Sequence, residues 1–214
     1  MTAVIILGGH RCGTSSIAGV VAHLGIPVAL PGDEIGPSPS NPRGHFEDAT
    51  LCRLHQRLLG MGGWREPRAP AGIPIDLLPL YDAHLRRRID CASRWCVKDP
   101  RLCILLPVLA DRLRTMSVAF QVVSVARDTE AVAESLRRRQ RMSCAAARRI
   151  AWLYEGARRA QLGRMIVDRV PLLELRFEEV LADREAAVAR LADFLNVDPT
   201  PEAVAFLDPS LRHA

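Results

Sequence analysis

The stretch VIILGGHRCGTSS, residues 4–16, opens with apolar residues and then breaks into glycines, a histidine, an arginine and hydroxyls. The run Val4–Leu7 is typical of a buried strand. After the break, apolar residues recur at the spacing of one helix face as far as Gly25. The pattern therefore predicts a glycine turn between a strand and a helix N-terminus. There, backbone N–H groups and the helix dipole favour a phosphate or a sulfate.

The nearest comparison for this turn is the nucleotide-binding P-loop, G-x-x-x-x-G-K-[ST]. Gly8 and Gly13 have its spacing and Ser15 fills its last position, but Thr14 stands in place of its lysine. The nearest cation is Arg11, inside the loop. Triphosphate chemistry uses that lysine to bind the outer phosphates. The loop therefore has the backbone geometry to bind an anion but lacks the lysine that would hold a triphosphate. The alternative interpretation is an ordinary glycine turn.

The bulk composition is that of a globular protein with one domain, residues 1–214. Hydrophobic residues make up 49% and charged residues 25% of the chain, which are ordinary values. No apolar run reaches the roughly eighteen residues of a membrane span. No basic segment followed by a long apolar run marks export, so we expect a cytoplasmic protein.

The six cysteines form no C-x-x-C pair and have no regular spacing with histidines. The sequence therefore predicts reduced thiols and no metal site. Cys12 alone stands in the loop, where Arg11 and a helix start would lower its pKa. We favour a small side chain that lines the loop over a nucleophile at this position.

The net charge of +5 comes with arginine runs at residues 86–88, 137–139 and 148–149, all in segments predicted as helices. Nucleic-acid binding would need such charge interleaved with aromatic residues or placed on a known reading element. Aromatic residues make up only 5% of the chain. We therefore interpret most of these arginines as solvated helix faces and expect no nucleic-acid partner; an anionic small molecule could use a few of them.

Strand-like and helix-like segments alternate along the chain, which predicts a single-domain three-layer α/β/α fold with a central parallel sheet. After the first strand, the predicted strands are Ile26–Leu30, Trp95–Val97, Val118–Val125 and Val170–Leu175. Pro107 either kinks the helix predicted over Leu102–Leu113 or marks its first turn. Two further helices are predicted around Leu51–Leu58 and Leu80–Ile89, and a third starts near Asp128 or Thr129. A long helix is predicted from a Ser143 cap to about Met165. The last two are predicted at Ala186–Leu195 and Glu202–Leu207.

Three cations, Arg11, Lys98 and Arg127, each follow a predicted strand. Ligands bind at the carboxyl ends of the strands in such sheets, so we expect the three side chains to converge there. Two long loops rich in glycine and proline, residues 31–44 and 60–79, are the natural material for a substrate-binding rim and lid.

Several motifs together resemble the bacterial sulfotransferases that use 3′-phosphoadenosine-5′-phosphosulfate (PAPS) and have a P-loop-like fold. The stretch GGHRCGTSS resembles their 5′-phosphosulfate loop, and Arg127-x7-Ser135 resembles their 3′-phosphate motif. The segments NPRGHFED and VKDPRLCILLP and the tail from RFEEVLADRE to FLDPSLRH are also similar, so the likeness runs from about Val4 to His213. The chain departs from many members by having Cys12 in place of serine and Arg11 in place of lysine, and it is short for the family.

The resemblance implies transfer of a sulfuryl group from PAPS to a hydroxyl or amine acceptor, with 3′-phosphoadenosine-5′-phosphate (PAP) as the second product and no metal required. It implies a 5′-phosphosulfate site at Arg11–Ser15, which includes Cys12, Gly13 and Thr14. It further implies a 3′-phosphate site at Arg127 and Ser135. The acceptor is a small molecule, a carbohydrate, a phenol, a lipid head group or a natural product, and the oligomeric state stays open.

The general base belongs to the segment GHFED, where a loop meets a helix. Glu47 is our first candidate, because a carboxylate serves some relatives in the matching region, and His45 is the second, because its unperturbed pKa suits the task. Asp48 as a helix cap is the structural alternative. Lys98 is expected to support the sulfuryl or bridging oxygens, while Asp99 orients Lys98 or Arg101, or else forms only a structural ion pair.

Two other functions compete with this interpretation. One is a P-loop kinase or another nucleoside-triphosphate enzyme, with Asp99 as a magnesium ligand. The other is a non-catalytic nucleotide-binding module that keeps the fold.

Overall fold

The computed structural model describes residues 1–39, 41–60 and 62–208 of the chain. Its sheet has four parallel strands, β1 (Thr2–Leu7), β2 (Arg94–Lys98), β3 (Ala119–Ala126) and β4 (Leu172–Arg176), in the order β2-β1-β3-β4. The central strand β1 is fully buried from its second residue onward. Burial on both faces explains why its sequence is continuously apolar and does not alternate.

Helices cover both faces of the sheet, so the predicted three-layer α/β/α fold is confirmed. One core cluster packs the second to sixth helices against the sheet, and the other packs the first helix and the last three against the opposite face. The helices are α1 (Thr14–His23), α2 (Ala49–Leu59), α3 (Leu78–Cys91), α4 (Leu102–Thr115), α5 (Thr129–Gln140), α6 (Cys144–Val167), α7 (Phe177–Ala182), α8 (Arg184–Leu195) and α9 (Pro201–Phe206). None of these helices is long and apolar enough to cross a membrane, within the described ranges.

The strand predicted at Ile26–Leu30 is wrong. The segment is buried, but a single backbone hydrogen bond, from Cys96 N to the Pro27 carbonyl at 2.8 Å, ties it to β2. Proline has no N–H to donate to a ladder. The side chain of Arg88 also reaches the same carbonyl, at 3.4 Å. The apolar pattern of this segment thus indicates that it is buried, but it does not indicate that it pairs with the sheet.

Other elements follow the sequence more closely. Asp128 and Ser143 cap α5 and α6 through their side chains, as expected. Pro107 lies inside α4 and not in its first turn. The sequence pattern does not predict helix α7, because its six residues are too few to show a period.

The described part of the loop 31–44 folds back onto the segment that follows it. Ile35 N donates to the Glu47 carbonyl at 2.8 Å, and His45 N donates to the Ile35 carbonyl at 3.2 Å. An antiparallel bridge between Glu34 and Asp48 lies beside these bonds. This pairing fixes the backbone that carries the predicted base. Ser40 and Met61, one in each of the two long loops, and the end of the tail from residue 209 lie outside the described residues.

Gly13 occupies a position that an alanine cannot fill without strain. Its φ of 86° is left-handed, and a Cβ there would lie 2.2 Å from the Phe177 ring. We expect Gly13→Ala to lower the free energy of unfolding by about 2–4 kcal/mol, combining left-handed strain with overpacking. Gly25 has a similar φ of 83°, but a Cβ added there would meet no atom within 4 Å, so Gly25→Ala should cost only about 1 kcal/mol.

Urea unfolding of both variants and of the parent chain measures the loss in free energy of unfolding for each. Gly25→Ala reports backbone strain alone, and Gly13→Ala reports backbone strain together with the clash against Phe177. Equal losses in the two variants would show that the Phe177 contact does not constrain the loop.

Candidate active site

A cavity of about 270 Å³ lies at the carboxyl ends of β1, β2 and β3, where the sequence places its ligand site. Its described lining residues include five cations and one acid, Glu47. The cations are Arg11, Lys98, Arg101, Arg127 and Arg139. The two long loops contribute Asn41, Pro42 and Trp64 to the wall. The predicted convergence of Arg11, Lys98 and Arg127 therefore agrees with the structure.

The loop between β1 and α1 forms one end of the cavity, with Gly13, Thr14 and Ser15 in its lining. Arg11 has a left-handed φ of 68°, which turns the chain sharply before Gly13. The Arg127 guanidinium closes the loop by donating from Nη1 to the Arg11 carbonyl at 2.9 Å. The helix N-terminus thus opens into a space that is bordered by arginines, an arrangement that favours anions.

Arg11, Arg127 and Ser135 form one connected group. Arg11 Nε donates to the Ser135 hydroxyl at 2.9 Å, across 124 residues of sequence. The residues that the sequence motifs assign to the 5′-phosphosulfate site and to the 3′-phosphate site are therefore linked through Arg11. Ser135 itself takes part through this bond and is absent from the cavity wall among the described residues.

Positive charge is concentrated at this end of the cavity. Burial lowers the pKa of Arg11 to about 10, and the charges of Arg139 and Arg127 contribute to the same shift. Arg11 is still a cation at neutral pH, so the three side chains repel one another. An anion placed among them would relieve that repulsion.

Lys98 connects the loop to the segment GHFED. Its ammonium group donates to Ser15 Oγ at 3.0 Å, to the His45 carbonyl at 3.1 Å and to Glu47 Oε1 at 2.5 Å. Its side chain is only 3% exposed. Lys98 is also the single lysine of the sequence; the other 28 of its 29 lysine and arginine residues are arginines.

Glu47 and His45 both line the cavity, whereas Asp48 does not. The second oxygen of Glu47 lies 3.5 Å from the Cys52 thiol, which donates to it. His45 Nε2 lies 2.9 Å from the Ser38 hydroxyl, and burial lowers the pKa of this imidazole. His45 is therefore neutral at neutral pH and could accept a proton.

Asp48 is a buried helix cap, which agrees with the structural role that the sequence offers as the alternative to catalysis. Its Oδ1 accepts from Leu51 N at 2.9 Å, at the start of α2. Its Oδ2 lies 2.8 Å from His84 Nε2 and accepts from Arg88 Nη1 at 3.3 Å. Every oxygen is thus occupied by the scaffold.

Cys12 lies behind the loop, within the core. Its N–H donates to the Gly9 carbonyl at 3.3 Å. Burial, followed by the charge of Glu155, raises the pKa of its thiol to about 12, so the lowered pKa expected from its place beside Arg11 is wrong. Desolvation of the thiolate outweighs the opposing charges of Arg127 and Arg158. Among the predicted loop residues, Cys12 contributes packing and lines no part of this cavity.

Asp99 orients Arg101 and not Lys98. Its carboxylate accepts from Arg101 N and from Arg101 Nη1, each at 2.9 Å, and its Oδ2 lies 2.8 Å from His55 Nδ1. The side chain is 1% exposed. A carboxylate enclosed in this way by donors is poorly placed to bind magnesium, so the geometry does not favour the triphosphate alternative.

His10, Trp64, Arg101 and Arg139 are among the cavity-wall residues that the sequence patterns do not single out as site residues. Arg139 belongs to the arginine run 137–139, which the sequence pattern assigns to a solvated face. Its position four residues after Ser135 puts both on one face of α5, a signal that is present in the sequence. The other three become neighbours only through tertiary packing.

Comparison with solved structures identifies the fold. A sulfotransferase domain from the olefin synthase of Synechococcus PCC 7002 matches with a TM-score of 0.56 and 22% identity, over 95% of this chain and 76% of that one. A sulfotransferase domain from the curacin biosynthetic pathway matches with a TM-score of 0.54 and 16% identity, over 97% and 78% of the two chains. The chain has a sulfotransferase fold.

The Mycobacterium avium sulfotransferase STF9 has the same fold, with a TM-score of 0.53 and 15% identity, over 99% of this chain and 68% of that one. Neither a protein-family model nor a curated protein sequence matches this chain. The sulfotransferase resemblance inferred from the motifs is thus confirmed at the level of the fold.

Proposed function

We propose that the protein transfers a sulfuryl group from PAPS to a hydroxyl or amine of a small acceptor. The observation that carries the proposal is the joint placement of Lys98 and Ser15 on one side of the loop and of Arg11, Arg127 and Ser135 on the other. PAPS has an anionic group at each end, a phosphosulfate and a ribose 3′-phosphate. The cavity offers cations and N–H donors for both.

The donor would lie with its phosphosulfate over the residues Gly13–Ser15 and its 3′-phosphate against Arg127, with Ser135 linked to this end of the cavity through Arg11. PAPS supplies an activated sulfur whose bond to the bridging phosphate oxygen breaks as the acceptor attacks. Lys98, Arg11 and the N–H groups of the loop would stabilise the charge that develops on that oxygen and on the sulfuryl group. These groups are present before substrate binds, so little reorganisation is required of them.

Glu47 would take the acceptor proton, as the oxygen or nitrogen of the acceptor forms its bond to sulfur. It lies on the cavity wall and is held by Lys98 and by the Cys52 thiol. Asn41, Pro42 and Trp64 place the two long loops beside it, which supports their role at the acceptor end. Natural-product and carbohydrate acceptors both fit this proposal, and no step requires a metal ion.

The test of the proposal is thermal unfolding with PAP in the absence of metal, followed by transfer of labelled sulfate from PAPS to a panel of acceptors. A ligand at a hundred times its dissociation constant stabilises the folded chain by about 2.7 kcal/mol, which is readily measured. Stabilisation by ATP with magnesium, and none by PAP, would assign the site to a nucleoside-triphosphate enzyme. PAP binding without transfer to any acceptor would indicate a binding module.

Arg127→Ala should reduce the preference for PAP over AMP by roughly 10- to 100-fold, because a hydrogen bond to a charged group contributes about 1.5–3 kcal/mol. The two ligands differ in the 3′-phosphate, so their affinity ratio isolates that contact from any change in the loop. Arg137→Ala on the exposed face of α5 is the matched control, since Arg137 pairs with Glu134 one turn back along the helix and lines no part of the cavity. An unchanged ratio in Arg127→Ala would remove the 3′-phosphate assignment.

A further inference from the structure

A second concave surface lies outside the proposed active site, between helices α2 and α3. It encloses about 370 Å³ and, within the described ranges, shares no lining residue with the cavity at the strand ends. Each of the two helices contributes residues at positions i, i+3, i+4 and i+7, starting at Thr50 on α2 and at Leu80 on α3. We call the surface formed by these residues the α2–α3 groove.

The spacing of its lining residues gives the groove the shape of a channel. Residues at i, i+3, i+4 and i+7 form one stripe along two turns of a helix, about 10 Å long. The two helices run antiparallel, because Asp48 at the start of α2 contacts His84 late in α3, while Arg57 near the end of α2 contacts Asp76 just before α3. Two helical stripes side by side leave a channel that a third helix fills, since its side chains pack between their rows.

The groove has an apolar lining that is partly open to solvent. Leu54 of α2 is buried, whereas Leu80 of α3 is 53% exposed. Ala83, one turn after Leu80, is also exposed. A half-exposed leucine in a concave surface gains free energy when another apolar side chain covers it. The lining therefore favours a partner with apolar side chains along one face.

The charge of the groove has one sign. Three arginines and no carboxylate line it among the described residues: Arg53, Arg57 and Arg87. Arg87 is exposed, and its side chain makes no ion pair or hydrogen bond in the part of the chain that the structure describes. Arg57 pairs with Asp76 at 2.9 Å and Arg53 lies 3.8 Å from Asp33, with both guanidinium side chains more than half exposed. Exposed pairs of this kind contribute little, so the carboxylates of a partner can compete for these cations.

The combination of shape and charge selects among the possible occupants. A second copy of this chain fits poorly, because the chain has a net charge of +5 and α3, α5 and α6 each contain a run of adjacent arginines. A membrane surface is broad and flat, so it does not fill a channel between two helices. An amphipathic helix with an acidic polar face matches the length, the apolar lining and the sign of the charge.

We propose that the α2–α3 groove binds an acidic amphipathic helix of a partner protein. The apolar face of that helix packs against Leu54 and Leu80, and its carboxylates pair with Arg53 and Arg87. The inference is independent of sulfuryl transfer, because the groove and the cavity have no lining residue in common among those described. Binding at the groove can therefore be measured whether or not the chain binds PAP.

The first test uses a fluorescent peptide of about 15–20 residues, a length at which an isolated helix can form. The peptide has leucines at i, i+3, i+4 and i+7 and glutamates on its other face. One matched peptide carries lysine in place of every glutamate. The other keeps the composition but spreads the leucines around the helix. Fluorescence anisotropy with the full chain measures the three affinities.

We expect the acidic amphipathic peptide to bind at least about 10-fold more tightly than either matched peptide. Its binding should weaken between about 0.1 M and 1 M salt, since the range of interactions between exposed charges falls from about 10 to 3 Å. Equal affinities for the three peptides overturn the proposal, and so does the absence of binding by the acidic one.

The second test locates the binding surface with two neighbouring residues. Arg86 and Arg87 are both exposed on α3, but only Arg87 lines the groove. Arg87→Glu should weaken binding of the acidic peptide by about 5- to 10-fold, because a repulsion replaces an attraction. Arg86→Glu makes the same change in net charge outside the groove and should alter the affinity by less than about twofold. Equal losses in the two variants would show that the peptide follows overall charge, which overturns the proposal.

The third test addresses the apolar contact. Leu80→Ser should weaken binding of the acidic peptide by about 5-fold or more, because the half-exposed leucine is covered in the complex. Ile75→Ser is the matched control, since Ile75 is 90% exposed and does not line the groove. The four substituted side chains are all exposed, so the variants should keep the circular dichroism spectrum and the PAP affinity of the parent chain. Equal affinities of Leu80→Ser and Ile75→Ser for the peptide would contradict the apolar contact.

Sedimentation velocity and flotation with phosphatidylserine vesicles test the other two occupants. We expect Arg86→Glu and Arg87→Glu to behave alike in both measurements. A dimer that dissociates in Arg87→Glu and not in Arg86→Glu would assign the groove to a second copy of the chain and overturn the proposal. Vesicle binding lost only in Arg87→Glu would assign it to a membrane surface, with the same consequence.

Discussion

Glu47→Gln should lower turnover by roughly 10²- to 10⁴-fold, the range for loss of a general base, while PAP affinity stays within about threefold of the parent. The variant preserves shape, because the glutamine carbonyl can still accept from Lys98 and its amide can turn toward the Cys52 sulfur. The side chain would no longer take a proton from the acceptor. Single-turnover transfer with saturating PAPS measures the step directly.

Two controls make the result specific to Glu47. Glu34→Gln changes an exposed carboxylate on the same folded-back loop, so it should leave turnover unchanged. His45→Ala removes the second candidate, whose Nε2 lies against Ser38. If Glu47→Gln keeps its activity while a folded His45→Ala loses it, the base is His45.

The loop after β1 could be predicted from the sequence because its signals are local. Apolar residues, glycines and hydroxyls within a dozen positions specify a strand, a turn and a helix start. Arg127 lies at the junction between β3 and α5, and Ser135 lies inside α5, so their spacing along the chain is also a local signal. Ranges for β2, β3, α3 and α6 followed from the same kind of pattern.

The rest of the site depends on contacts that no local pattern encodes. Lys98 meets Glu47 only because residues 33–35 pair with residues 47–49, which sets the path of the loop. Trp64 approaches His10 across more than fifty positions. The expectations for Ile26–Leu30 and for the Cys12 thiol were wrong for a related reason, since both depended on the environment. An apolar run in the sequence does not show whether a neighbouring strand is available for pairing. A cysteine next to an arginine in the sequence does not show how deeply the thiol is buried.

Lys98→Met should reduce kcat by about 10²- to 10³-fold, on the scale of losing one preorganised donor to a developing negative charge. The methionine retains most of the buried stem and removes the three N–H donors that now reach Ser15, the His45 carbonyl and Glu47. We expect PAP affinity to fall less than kcat, because the charge on the leaving oxygen grows only as the bond to sulfur breaks. A larger loss in PAP affinity than in kcat would make Lys98 a binding residue.

The choice of lysine at this one position supports a role that arginine does not fill. A compact ammonium with three rotatable donors suits three oxygens arranged around a point, whereas the guanidinium fork requires a planar arrangement. Lys98→Arg should therefore lower kcat by at least about 10-fold although it keeps the charge, since a donor placed about 1 Å out of position loses much of its effect. Circular dichroism and the PAP-induced shift in Tm establish that both variants are folded and loaded. Full activity in Lys98→Arg would show that positive charge alone is required, and the site would then need only a cation above the loop.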